Sequence, residues 1–362
     1  MASIRKRVKK DGTATWAVIW RDPDTGKQTS RSLISQADAK TLRDFLDANG
    51  QSFALAAQAA ARMRSSAPPL REVLERHITM STNASEGTRK KYRRLAEQHI
   101  YPELGGYPVD AVSTEDVARW FSALPVAAKT KKNIHALLSA AFKRSVAEGV
   151  ISKNPAVGLR APREEVEFQP VFLTEGQMMM IYSALPERWR LFVELLENSG
   201  LRYGEASALR WQDLIFEENR CTISVTRAWR RGESGEVIGP PKTKKSIRRV
   251  ALPVWLSKKL LEARGEARPS DLVFAKPNGS HIPNGHFHQR VWIPLMEKLE
   301  GELGVRPRIH DLRHTHASRL ISKGVALPVI QARLGHESIT TTVNTYGHLT
   351  SDADARAAAL LD

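Results

Sequence analysis

Six polar residues in the C-terminal half of the chain are of types that could hold a phosphate group and attack it. Arginine, lysine and histidine side chains can surround one anion with hydrogen-bond donors, and a tyrosine phenol can act as a nucleophile. In chain order the set is Arg202, Lys242, His310, Arg313, His336 and Tyr346. These types suit the cleavage of a phosphodiester bond without a metal ion.

Such a cleavage makes three demands: negative charge on the nonbridging oxygens must be stabilised, a weak nucleophile activated, and an alkoxide leaving group protonated. Arg202 and Arg313 supply planar, permanently charged guanidiniums that can grip phosphate oxygens. One preorganised donor of this kind contributes about 3 kcal/mol. His310 lies three residues before Arg313, so both would share one helix face. Glu205, three residues after Arg202, could hold that guanidinium through an ion pair.

The strings around these residues resemble the catalytic motifs of the tyrosine recombinases, in particular the phage-type integrases. They are SGLRYGE, PPKTKKSIRR, HDLRHTH, RLGH and NTYGH. The resemblance implies that Lys242 protonates the departing 5′ oxygen, that His310 is the general base and that His336 binds a phosphate oxygen. Tyr346 would attack phosphorus, leaving a 3′-phosphotyrosine and a free 5′-hydroxyl. Because a free phenol has a pKa near 10, Tyr346 needs a base or a strong positive field.

The same resemblance implies a reaction and its partners. A homotetramer would bind paired core sites on double-stranded DNA and exchange strands through a Holliday junction, with no metal or nucleotide cofactor. A DNA-bending host factor and a directionality factor are the implied accessory proteins. Three other functions stay open at this point: a Xer-type resolvase, a type IB topoisomerase-like relaxase, and a DNA-binding regulator that has lost catalysis.

Composition supports a nucleic-acid partner. The chain has 362 residues with 55 Lys+Arg against 39 Asp+Glu, a net charge of +16, and such an excess favours binding to a polyanion. Cys221, the single cysteine, excludes an internal disulfide and lies in an alternating apolar stretch that predicts a buried strand. No apolar run reaches the roughly 18 residues of a membrane span, so we expect a cytoplasmic protein acting at the nucleoid of a bacterial host.

Residues 1–64 are expected to form an arm-type DNA-binding domain with a coupling helix. Turn residues separate three predicted strands over residues 4–9, 13–21 and 27–33, and Ser35 would cap the helix that follows. A basic sheet backed by a helix resembles the arm-binding domain of phage integrases. The candidate DNA contacts are Arg5, Lys6 and Arg7. The alternative is a capping subdomain that does not contact DNA.

Residues 70–165 read as a helical core-binding domain of the SAM-like type. Thr88 would cap a helix that opens with a cluster of cations, and a later helix also begins with lysines. Cations at a helix N-terminus oppose the helix dipole, which favours phosphate contact over a role in stability. The candidates are Arg89, Lys90, Lys91, Arg93, Arg94, Lys129, Lys131 and Lys132. The alternative for each cluster is a solvated face.

Residues 170–362 are expected to form a mixed α/β catalytic domain with a C-terminal tail, which makes the whole chain multidomain and mainly α with small sheets. Thr174 would cap its first helix, and a strand patch is predicted between Cys221 and Val250. Two further candidate DNA contacts adjoin Lys242: they are Lys244 and Lys245.

The tail after Tyr346 predicts a short helix starting near Ser351, which would pack either in cis or on a neighbouring protomer. A metal site at His310, His314 and His316 is the competing interpretation of the histidine cluster. It is disfavoured because residues two apart on a helix diverge and because Arg313 would repel a cation.

Overall fold

The computed structural model of the chain describes residues 1–8, 12–160, 170–232, 235–241 and 243–347. Lys242 and the predicted helix near Ser351 lie outside these residues. The chain divides into two compact units, Met1–Val166 and Glu167–Asp362. In the described residues no helix is long and apolar enough to cross a membrane.

The N-terminal part of unit 1 is a three-stranded antiparallel sheet backed by two helices. The elements are β1 (Ser3–Val8), β2 (Ala14–Arg21), β3 (Gln28–Leu33), α1 (Gln36–Ala48) and α2 (Phe53–Arg64). Val18 and Trp20, on one face of β2, are buried against the helices. The Ser35 hydroxyl caps α1 by accepting the Ala37 N–H at 3.1 Å. The predicted sheet and its capped helix are confirmed.

The rest of unit 1 is helical, as predicted. Its main elements are α3 (Leu70–Thr79), α4 (Glu86–Leu95), α5 (Thr114–Ala123) and α6 (Ala128–Ala147). Ile134, Leu138 and Phe142 form the buried stripe of α6. The prediction of Thr88 as a helix cap is wrong: Ser85 caps α4 and accepts the Thr88 N–H at 3.3 Å. The helix starts earlier because Ser85 already has extended backbone geometry and its hydroxyl reaches the N–H of Thr88 from the cap position.

Unit 2 combines small sheets with helices. A sheet of order β4-β5-β8 and a separate β6-β7 hairpin are both antiparallel. The strands are β4 (Leu214–Glu217), β5 (Arg220–Val225), β6 (Ala228–Arg231), β7 (Glu236–Gly239) and β8 (Arg248–Ala251). The strand patch therefore begins at Leu214 rather than at Cys221. Cys221 itself is fully buried in β5, as its alternating context predicted.

The helices of unit 2 hold the core and the candidate site. They are α7 (Glu175–Ala184), α8 (Glu187–Ser199), α9 (Tyr203–Ala206), α10 (Val254–Arg264), α11 (Asn284–Phe287), α12 (Ile293–Leu303), α13 (Asp311–Ser322), α14 (Leu327–Leu334) and α15 (Ile339–Tyr346). Thr174 caps α7 in a capping box with Gln177, as predicted. Leu312 enters the large apolar core, whereas Tyr346 belongs to a smaller cluster between α13, α14 and α15.

Candidate active site

Arg313 forms hydrogen bonds to the C-terminal ends of two helices, α8 and α14. Its guanidinium donates to the Gly200 carbonyl at 2.5 Å and to the Leu334 carbonyl at 2.7 Å. Both carbonyls lie where a helix ends, and the glycines that follow the helices, Gly200 and Gly335, have φ of 66° and 67°. Arg313 is 2% exposed, and burial, followed by the charge of Arg202, lowers its pKa. Helix ends thus hold this cation in a fixed position.

Arg202 presents a charge at the surface of the same site. It immediately precedes α9, and its guanidinium donates to Glu205 Oε1 at 2.9 Å and to the Gly335 carbonyl at 3.4 Å. The Arg202 side chain is 39% exposed, whereas Glu205 is 2% exposed. One edge of the guanidinium is therefore held by the protein while the side chain remains open to a ligand.

Arg248 is a third guanidinium of the cluster, and sequence reasoning missed it. It donates to Glu205 Oε2 and to the Ser246 carbonyl, both at 2.9 Å, and to the Arg333 carbonyl at 2.6 Å. Although burial opposes ionisation, the hydrogen bond from Arg248 and the charges of both arginines hold the pKa of Glu205 below its usual value. One feature of the sequence could have indicated this position: Arg248 lies two residues before the apolar Val250, so in a strand both side chains point to the same face.

Two histidines border this cationic cluster. His336 Nδ1 lies 2.9 Å from the Thr342 hydroxyl, and burial, followed by Arg313 and Arg202, lowers the pKa of His336 to about 3. His310 directly precedes α13 and is exposed at its edge, yet desolvation of the ring by its neighbours and then the charge of Arg313 lower its pKa to about 4. At neutral pH both rings are therefore uncharged in the free protein and act as hydrogen-bond groups rather than cations.

Tyr346 is buried inside unit 2. It is 0% exposed, packs beside Phe172 at a ring separation of 6.4 Å, and places its hydroxyl 2.8 Å from His314 Nδ1. Burial raises the pKa of Tyr346 to about 12, against the opposing charge of Arg313. The phenol is thus protonated at neutral pH and adjoins the cationic cluster without being exposed to solvent.

His314 is the second residue of the site that sequence reasoning missed, having weighed it only as a metal ligand. Its ring meets that of His310 edge-on at 5.0 Å, as expected for residues one helical turn apart. His316 faces elsewhere and accepts the Arg333 Nε–H at 2.9 Å. Within the described residues, no group of three or more His, Cys, Asp or Glu side chains could hold a metal ion.

Five of the six predicted site residues therefore meet in unit 2, and Lys242 lies outside the described residues. Lys245 is exposed and donates to the Glu337 carbonyl at 2.8 Å; its neighbour Lys244 belongs to the short helical turn Lys244–Ser246. Their roles in DNA binding stay predictions.

The other candidate DNA contacts belong to unit 1. Several of them have partners within the protein: Arg93 Nε donates to Glu75 at 3.2 Å, Lys131 Nζ donates to the Ser122 carbonyl at 3.1 Å, and Lys6 Nζ lies 5.5 Å from the centre of the Trp16 ring. Arg89 is half-buried. The exposed candidates are Arg5, Lys6, Arg7, Lys90, Lys91, Arg94, Lys129 and Lys132.

Comparisons with known proteins place the chain in a family. The sequence profile described as the phage integrase family matches residues 171–352, half of the chain. A XerC-like tyrosine recombinase of Caldanaerobacter subterraneus subsp. tengcongensis is 29% identical over 280 residues, covering 68% of this chain and 70% of that protein.

Solved structures share the fold. The Tn1549 transposon integrase in complex with transposon right end DNA has a TM-score of 0.70 and 25% identity, covering 82% of this chain and 100% of that one. A lambda integrase tetramer bound to a Holliday junction has a TM-score of 0.60 and 22% identity, covering 92% of this chain and 96% of that one. The predicted family and fold class are confirmed: the chain belongs to the phage integrase family and is a site-specific tyrosine recombinase.

Proposed function

We propose that the cluster of Arg202, Arg248 and Arg313 receives the scissile phosphate of DNA and that Tyr346 attacks it. The observation that carries this proposal is that Arg202 and Arg248 share one carboxylate, Glu205, while Arg313 lies close enough to interact electrostatically with all three and with Tyr346. The excess positive charge is fixed before the substrate arrives. Preorganised charge of this kind stabilises the negative charge that develops on the nonbridging oxygens.

Each remaining residue meets one of the other demands of the reaction. His336, held by Thr342, would donate a hydrogen bond to a nonbridging oxygen. Lys242 would protonate the departing 5′ oxygen, and the family resemblance assigns removal of the phenol proton to His310. The product would be a 3′-phosphotyrosine with a free 5′-hydroxyl, which conserves the bond energy for rejoining.

At the level of DNA, we propose integration and excision of a phage or mobile element. The chain would bind paired core sites as a homotetramer and pass through a Holliday junction, the DNA on which a lambda integrase tetramer has been solved. Residues 1–64 would bind arm sites and residues 70–165 core sites, with a DNA-bending host factor and a directionality factor assisting. The reaction would take place at the nucleoid in the cytoplasm of a bacterial host.

The test is to trap a covalent adduct on a nicked suicide substrate that carries the core site. Wild type should give a denaturant-stable protein–DNA adduct, and Tyr346→Phe should give none. Tyr107→Phe removes a phenol oxygen in unit 1 and is the matched control, so it should form the adduct normally. Tight DNA binding without any adduct from wild type would instead favour the DNA-binding regulator.

A Xer-type resolvase is the second candidate, because a XerC-like protein is among the relatives. Combined replacement of Arg5, Lys6 and Arg7 by Ala separates the two. An integrase that needs arm sites should lose recombination while still cleaving an isolated core site. A Xer-type enzyme should recombine as wild type does. Relaxation of supercoils that carry no paired sites would point to the topoisomerase-like activity.

A further inference from the structure

The hydroxyl of Tyr346 faces one imidazole nitrogen. His314 lies on the first turn of α13 and Tyr346 at the end of α15, and the distance from Nδ1 to the hydroxyl oxygen is 2.8 Å. Tyr346 is 0% exposed, so its hydroxyl proton needs an acceptor within the protein. In the part of the chain that the structure describes, His314 is the side chain to which this hydroxyl is hydrogen-bonded.

The direction of this hydrogen bond follows from protonation. Burial is the main cause that lowers the pKa of His314, to about 4, and Arg308 and Arg313 act in the same direction. At neutral pH the ring is therefore uncharged, with one donor and one acceptor nitrogen. Because the buried hydroxyl has His314 as its hydrogen-bond partner among the described residues, we assign the phenol as the donor to Nδ1 and the ring proton to Nε2.

On this geometry, and resting on the function proposed above, we propose that His314 Nδ1 accepts the phenol proton as Tyr346 attacks phosphorus. The phenol O–H bond breaks and the proton forms a bond to Nδ1. The phenol oxygen forms the bond to phosphorus, and the bond from phosphorus to the 5′ oxygen breaks. The leaving oxygen takes a proton from the general acid, so the phosphodiester keeps its single negative charge.

His310 is less well placed for this step. It meets the His314 ring edge-on at 5.0 Å, and no described hydrogen bond joins it to the phenol. Its position beside Arg313 instead suits contact with a bound phosphate or passage of the proton onward from His314.

Substrate binding would make His314 a better base. The charged and titratable groups that face it are Arg308, His310, Asp311, Arg313, His336 and Tyr346. A phosphate bound by Arg313 offsets the positive charge that disfavours a protonated ring. The ring then accepts a proton more readily when the target of the attack is present.

The experiment measures single-turnover adduct formation on the suicide substrate. His314→Asn can place an amide oxygen near the position of Nδ1, and so can keep the hydrogen bond, but it cannot take up the proton. We expect its cleavage rate to fall by about 10²- to 10⁴-fold with DNA affinity unchanged. In His314→Gly, added imidazole should restore part of the rate.

A second substrate separates the base from the acid. Sulfur in place of the 5′ bridging oxygen gives a leaving group that needs no proton, so it should rescue Lys242→Ala but not His314→Asn. A wild-type rate in a folded His314→Asn protein would overturn the proposal. Absence of any adduct from wild type would instead overturn the proposed function.

A measurement on the unaltered chain covers the case in which the variants fail to fold. In a spectrum of full-length protein labelled with ¹⁵N-histidine, His314 should show an unprotonated, hydrogen-bonded Nδ1. Tyr346→Phe should shift that signal. An Nδ1-protonated ring in wild type would refute the assignment.

Discussion

Replacing Gly200 by alanine should damage both the stability and the architecture of the phosphate site. Gly200 ends α8 with φ of 66°, and a Cβ there would lie 2.7 Å from His316 Cδ2 and 2.9 Å from Leu334 Cδ2. The left-handed backbone costs an alanine roughly 1–2 kcal/mol. Overpacking adds about 1–3 kcal/mol, because both neighbours are buried.

Gly304 provides the matched control. It ends α12 with φ of 63°, nearly the same backbone conformation, but a Cβ there meets nothing within 4 Å. Gly304→Ala therefore pays only the backbone cost, and Gly200→Ala should be less stable than Gly304→Ala by about 1–3 kcal/mol.

Urea unfolding measures this difference in free energy of unfolding between the two variants. The transition to follow is that of unit 2, since both glycines lie in that unit. Gly200→Ala should also lose adduct formation, because the Gly200 carbonyl accepts a hydrogen bond from Arg313. Equal destabilisation by the two variants would show that the contacts of Gly200 with His316 and Leu334 do not matter.

Two other predictions concern charge. Because the pKa of Glu205 is lowered in the folded protein, its ionised form stabilises the fold at neutral pH. The difference in free energy of unfolding between wild type and Glu205→Gln, measured by urea unfolding, should be largest near pH 7. It should shrink as the pH falls below about 4, because the glutamate of the unfolded chain is then protonated. A difference that does not change with pH would contradict this prediction. If Lys132 contacts a phosphate, Lys132→Ala should weaken binding to all DNA sequences and reduce the slope of log K against log salt concentration by about 0.9. Lys323 is an exposed lysine of unit 2, and Lys323→Ala should leave this slope unchanged.

Much of the local structure could be read from the sequence because its causes are local. Ser35 and Thr174 were recognised as caps from a hydroxyl before an apolar-periodic helix, and the motif strings indicated the family. The prediction that Thr88 caps α4 was wrong because Ser85, three residues earlier, also carries a hydroxyl that can cap a helix. The local sequence does not distinguish between the two residues.

What the sequence did not predict depends on contacts between distant segments. Arg248 appears as one cation among several in PPKTKKSIRR, and only the folded β8 shows that it reaches Glu205. The hydrogen bond between His314 and Tyr346 joins residues on two different helices that are 32 positions apart in the sequence. The lowered pKa of His336 likewise arises from burial and from Arg313 and Arg202, which lie on other elements.

The complete burial of Tyr346 has a consequence for DNA that does not carry the target site. From its net charge of +16, we expect the chain to bind DNA of any sequence through phosphate contacts and to meet many wrong sites before the right one. A solvent-exposed nucleophile would threaten each of them with a break. Tyr346 is enclosed between α13, α14 and α15, so cleavage at a wrong site would require these helices to separate and expose the phenol. Each additional 1.4 kcal/mol or so of free energy that favours the closed arrangement would make this exposure about tenfold rarer. We therefore expect the concealed tyrosine to act as a safeguard of chromosome integrity during the search.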